Sequence, residues 1–247
     1  MSEFITNFAP ERYYRMEIFT LRSKVADTIE ANPRIIMVLE RLGIYSGVYD
    51  KSIEEIAVEH SLNPNLLLTL INIQCDNFSK QYHDINITDI PVVVDFLRHS
   101  HDYFQNEIYP TITGDIERMA AGENRKEIKM LERFFNSYCK EVEEHFAYEN
   151  NTAFPYIEEL YRYKCEQQKN NSGSHPYSVG DYKSHHNDIE ETLNDLKSLL
   201  IKFLSVSDNF HLKRNIVLNL FELDHDLMAH TKVENDILIP LVQELEN

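Results

Sequence analysis

Beyond residue 90 the apolar positions of the chain fall into four long seams with alternating steps of three and four. The first runs Val94, Leu97, His101, Phe104, Ile108, and the second Ile128, Leu131, Phe135, Tyr138, Val142, His145, Glu149. The third runs Tyr182, His186, Ile189, Leu193, Leu196, Leu200, Phe203, and the fourth Ile216, Leu220, Leu223, Leu227, His230, Glu234. Steps of three and four keep side chains on one face of an α-helix. Four amphipathic helices of this kind predict an all-α protein whose residues 90–247 form an up-down four-helix bundle. Pro110, Pro155 and Pro240 are expected at or beyond helix ends, because an interior proline removes a backbone donor. The polar stretch QQKNNSGSHPYSVGD is long enough to cross the bundle end between the second and third helices.

The earlier part of the chain has a different texture. Residues 1–21 are an aromatic-rich lead-in without a clear period. Residues 22–86 predict a small helical domain. Ile35, Ile36, Val38, Leu39 and Leu42 follow Pro33 and stop at Gly43, a proline-start, glycine-stop pattern. Ser52 and Glu55 form a capping box, and Asn63-Pro64 opens another helix. The outline IEEIAVEHSLNPNLLLTLI suggests a DNA-binding helix-turn-helix. The segment from Pro64 to Gln74 contains no Lys or Arg, however, and phosphate contacts need them.

The polar members of the seams carry the chemistry. His145 and Glu149 are four residues apart, as are His230 and Glu234, and both pairs are in phase with the apolar seam. A buried carboxylate beside a buried imidazole is costly unless a cation compensates it. The segments HFAYENNTAFP and HTKVENDILIP share the His, the Glu, the following Asn and the closing Pro, at an offset of 85 residues. The same offset carries His101 onto His186, and Leu97, Phe104 and Ile108 onto Tyr182, Ile189 and Leu193. The chain therefore contains a duplicated helix hairpin. This repeat selects His101 over His99 and His186 over His185. His225 has Lys140 as its counterpart, so it lacks that support, and His60, His83, His175 and His211 fall outside the seams.

The candidate metal ligands are thus His101, His145, Glu149, His186, His230 and Glu234. Six ligands exceed one tetrahedral zinc. They suit two first-row metals with bridging carboxylates, an oxide or hydroxide bridge, and one open position per metal. Imidazole and carboxylate without thiolate fit iron or manganese, with zinc as an in vitro substitute. Tyr138 and Tyr182 stand one heptad and four residues before ligand histidines. Either could donate a hydrogen bond to the ligands, although core filling is the preferred reading of both.

The charge balance narrows the partners. The chain of 247 residues has 24 Lys+Arg and 41 Asp+Glu, a net charge of -17. Such a surface disfavours nucleic acid and anionic membranes. No apolar run reaches a membrane span, and the N-terminal residues lack a signal-peptide pattern, so a cytoplasmic protein is expected. Cys75, Cys139 and Cys165 are odd in number and far apart, which predicts no disulfide framework.

With these residues in place, the motif H-x3-E-N-N-x-x-F-P and its second copy resemble the hemerythrin-like HHE cation-binding domain over roughly residues 90–247. The chain also resembles the di-iron proteins called repair of iron centres, or iron-sulfur cluster repair proteins. They join a small helical domain to such a bundle. That resemblance implies a non-haem di-iron centre at the six ligands, NO or O2 as small-molecule partner, an iron-sulfur client protein, and a role in stress defence. A homodimer would suit the small N-terminal unit. The cluster-repair family carries adjacent cysteines after its first long helix. Here that stretch reads GIYSGVYDKS, with Ser46 and Gly47 near the expected place, so thiol-based iron transfer from it is not expected. Two other readings stand beside this one: a module that senses O2, NO or iron and signals through its N-terminal domain, and a helical protein with a purely structural metal.

Overall fold

The computed structural model describes residues 18–45, 47–48, 50–75, 84–122, 126–165, 178–184, 189–202 and 209–247. Among these residues all regular structure is helical, and extended pairing is limited to an isolated bridge between Lys24 and Ser52. The all-α expectation holds. No described helix is long and apolar enough to cross a membrane, and none of the three cysteines is in a disulfide.

The small unit holds α1 (Val25–Ala31), α2 (Ile35–Arg41), α3 (Ile53–Glu59) and α4 (Pro64–Gln74). Its ends follow the sequence signals. Gly43 takes a φ of 74°, and the Ile44 N–H bonds Leu39 O at 2.8 Å, a glycine stop to α2. The Ser52 hydroxyl accepts from the Glu55 N–H, and the Glu55 carboxylate accepts from the Ser52 N–H, so the capping box closes at α3. Asn63 caps α4, with Pro64 in its first turn.

The bundle begins with α5 (Ile90–Tyr103). A π turn, Phe104–Ile108, joins it to α6 (Tyr109–Gly122). The second bundle helix is α7 (Lys126–Tyr148), a π turn Glu149–Ala153, and α8 (Phe154–Cys165). The third comprises α9 (Val179–Ser184) and α10 (Ile189–Lys202). The fourth is α11 (Phe210–Val233), a π turn Glu234–Leu238, and α12 (Ile239–Glu246). α6 packs against α7 and α11, and α10 packs against the same two, which closes the ring of four. The polar stretch between the second and third helices lies almost wholly outside the described residues.

The prolines correct a sequence expectation. Pro110, Pro155 and Pro240 do not end helices; each lies at the second residue after a π turn, and the helix continues through it. A proline cannot donate to the carbonyl four residues back, and its ring crowds that carbonyl. A wider turn just before it relieves both problems. The N–H groups of Tyr109, Phe154 and Ile239 instead reach five residues back, to the carbonyls of Phe104, Glu149 and Glu234.

Buried apolar residues form two clusters. One joins the small unit, through residues such as Ile35, Ile53 and Leu70, to one end of the bundle, including Leu97, Phe154, Tyr182 and Val233. The other fills the opposite end, from Phe104 and Phe146 to Leu200 and Leu227. The junction of the two units also carries a buried ion pair. Arg41, the last residue of α2, meets Asp226 of α11 through two hydrogen bonds of 2.8 and 2.5 Å, with both side chains buried. The guanidinium lies 5.4 to 5.8 Å from the ring centres of Phe96, Tyr103 and Phe104. Arg34, one residue before α2, pairs with Glu222 on the same bundle helix at 2.7 Å.

Candidate metal centre

The ligand candidates lie in the layer between the two apolar clusters. His101 is in the last turn of α5, and His145 and His230 are near the ends of α7 and α11. Glu149 and Glu234 open the following π turns. His101 and Glu149 are fully buried, and His230 and Glu234 nearly so. His186 lies outside the described residues.

The described candidates meet one another closely. His101 Nε2 is 3.2 Å from Glu149 Oε2, and His145 Nε2 is 3.2 Å from Glu149 Oε1. His230 Nε2 is 3.5 Å from Glu234 Oε1 and 3.3 Å from His101 Nε2. One donor atom each from His101, Glu149 and His230 falls within 4.8 Å of the other two.

Several features of this layer ask for a cation. His101 Nδ1 lies 3.1 Å from Asn150 Oδ1. An amide oxygen can only accept, so this contact needs a proton on Nδ1, which in the neutral ring leaves a lone pair on Nε2. That lone pair faces a second imidazole nitrogen at 3.3 Å. His230 Nδ1 is buried without a hydrogen-bond partner. Metal–ligand bonds of about 2.1 Å would put neighbouring donors roughly 3.0 to 3.4 Å apart, which matches most of these contacts. Burial works to raise the Glu149 carboxyl, but His101 and His145 outweigh it and hold it well below the usual range. Burial likewise depresses His101, although Glu149 pulls the other way. Taken singly, the two directions favour an ionised Glu149 and work against charge on His101, and metals bind carboxylates and neutral imidazoles.

Tyr182 ties the two carboxylates together. Its hydroxyl is 2.7 Å from Glu234 Oε1 and 3.3 Å from Glu149 Oε1. Burial and the two carboxylates push its phenol well above the usual range, so it stays a donor. This corrects the core-filling reading of Tyr182, which phase alone could not decide. For Tyr138 that reading stands. Its ring meets Tyr109 edge-on at 6.1 Å, within the apolar cluster at the far end of the bundle.

The rejected histidine His99 is accounted for by the junction, where its Nδ1 lies 2.8 Å from the Arg41 carbonyl oxygen. Sequence reasoning noted Asn150 only as a shared repeat residue and missed Arg41 and Asp226. Asp226 precedes His230 by four residues, and that inward spacing was the available signal. Aromatic rings close the layer: Phe146 stacks on His101 at 4.0 Å and Phe104 meets His230 edge-on at 5.9 Å.

Comparison with known proteins agrees with this chemistry. The family model described as hemerythrin HHE cation-binding domain matches residues 92–242. A search of curated proteins finds no match.

Proposed function

The chain belongs to the hemerythrin HHE cation-binding domain family, and from that premise we propose that it is a non-haem di-iron protein that binds or reacts with NO or O2, or supplies iron, in stress defence and iron-sulfur cluster repair. His101, His145, His186 and His230 would hold the two ions, with Glu149 and Glu234 shared between them. Bound iron would supply open positions for a small diatomic molecule and a centre able to change oxidation state. The chain's own residues do the rest. Tyr182 donates to the carboxylates and fixes their facing oxygens. Asn150 holds His101 from its far side. Phe104, Phe146 and Phe154 surround the imidazoles with apolar rings.

The observation that carries this reading is the buried His101–Glu149–His230 cluster, whose carboxylate and facing imidazole nitrogens call for a cation. Iron analysis of protein from iron-supplemented cells tests it. Two Fe per chain with near-UV charge-transfer bands are expected. Substantially less iron without those bands overturns the reading. Glu149→Ala and Glu234→Ala test the shared carboxylates: each substitution should disturb both metals, and loss of a single metal per variant rejects bridging.

The buried Arg41–Asp226 pair supports a second reading, a sensor that passes the state of the site to a protein partner through the small unit. Exposure of the reduced protein to NO separates the two. Repeated turnover to N2O favours an enzyme, and a single lasting adduct favours a sensor.

A further inference from the structure

Asn150 has a placement that a regular helix would not give it. Consecutive residues of an α-helix stand about 100° apart around the axis, so Glu149 and its successor should not share a face. Here they do: Glu149 touches His101 and His145, and Asn150 Oδ1 reaches the other side of the His101 ring. The π turn that starts at Glu149, with the Phe154 N–H bonded to Glu149 O, permits this placement. Bonding five residues back spreads one turn over more residues, so each advances less around the axis. Pro155 enforces that turn. The repeat supplies a control: Pro110 corresponds to Asp195, and α10 runs as an uninterrupted α-helix through that position.

Asn150 and Glu149 of the neighbouring helix thus face the two ring nitrogens of His101. We propose that Asn150 is a positioning residue that holds a proton on His101 Nδ1 and so leaves Nε2 open to a metal; the π turn permits this placement without imposing it, since Asn235 in the equivalent turn before Pro240 is exposed. The inference rests on the metal-binding reading above for its purpose, but the hydrogen bond itself does not. Such outer partners of metal-bound histidines typically set affinity by about 10–100-fold.

The test uses the full chain with Asn150→Leu and Asn150→Asp. The aspartate keeps an acceptor for the Nδ1 proton; the leucine removes it. In the metal-free protein, long-range 15N–1H correlation should show the Nδ1–H tautomer of His101 in the wild type and the aspartate variant. The leucine variant should shift toward Nε2–H. Co(II) affinity, read by chelator competition, should fall about 10–100-fold in Asn150→Leu and return to within about threefold of wild type in Asn150→Asp. An Nε2–H tautomer in the wild type, equal affinities in all three proteins, or an equal loss in both variants overturns the proposal. A wild type with the Nδ1–H tautomer that takes up no Co(II) overturns the metal-binding purpose instead, so the two failures are distinguishable.

Discussion

The two hairpins of the repeat share a ligand pattern and differ in what surrounds it. The first hairpin has prolines at 110 and 155, each behind a π turn, and Asn150 holds its lone histidine. The second keeps Pro240 but has Asp195 in place of Pro110, and Asn235, the counterpart of Asn150, is exposed. Leu97 of the first hairpin corresponds to Tyr182 of the second, and only the tyrosine can hydrogen-bond both carboxylates. Glu141 of the first is exposed, whereas its counterpart Asp226 is buried on Arg41 of the small unit. One hairpin thus supplies a hydrogen bond that orients a candidate ligand. The other supplies the donor between the carboxylates and the tether to the N-terminal unit. A duplicated pattern places the candidate ligands, while unpaired substitutions divide the supporting tasks.

Breaking the tether should give the largest stability effect. Arg41→Met leaves Asp226 buried without its partner and should cost about 3–5 kcal/mol in chemical denaturation, whereas Glu141→Ala should change stability by less than about 0.5 kcal/mol. Adding Asp226→Leu to Arg41→Met should recover much of the loss, because a well-packed apolar pair often replaces a buried ion pair. The proline asymmetry comes next. Asp195→Pro should cost about 3 kcal/mol, since α10 has no π turn there to accept it. If it is tolerated, the pairing of prolines with π turns does not explain the difference between the halves. Tyr182→Phe should lower the stability of the metal-free protein by roughly 1.5–3 kcal/mol, the range for a hydrogen bond to a charged group; thermal unfolding checks it, and no change would remove Tyr182 from the site. The smallest effect lies at the rim. The Arg34 guanidinium holds the Glu222 carboxyl below its usual 4.5 despite partial burial. Its contribution is therefore present above about pH 4.5 and is lost as pH falls through the lower folded value. Because both side chains are partly in solvent, Glu222→Gln should cost no more than about 1 kcal/mol at pH 7. Denaturation curves of variant and wild type should converge on acidification.

Much of this was legible in the sequence because periodicity and repetition report faces. The four seams and the 85-residue offset picked out His101, His145, Glu149, His230 and Glu234, which the structure brings into one layer; His186 falls outside the described residues. The capping box at Ser52 and the stop at Gly43 were equally local and equally readable. The prolines misled because the usual rule weighs a lost donor and a clash, and a π turn absorbs both without ending the helix. Tyr182 was ambiguous because phase places a side chain on the inner face without saying what it meets there. Arg41 and Asp226 are 185 residues apart, so no periodic signal joins them.

The ligand layer lies between two separately packed apolar clusters, and this has a consequence for cooperativity. Each cluster has its own contacts, so each end of the bundle can loosen as its own unit of local unfolding. Side-chain contacts across the layer in the metal-free protein come from imidazoles, carboxylates, one phenol and the rings of Phe104, Phe146 and Phe154. A cation bound only when both ends are formed stabilises that joint state by mass action. It would act as a rivet, turning two partly independent transitions into one. Amide exchange should then show two opening free energies in the apo protein, one for the end around Leu70 and Leu97 and one for the end around Leu131 and Leu220, merging into one on metal loading.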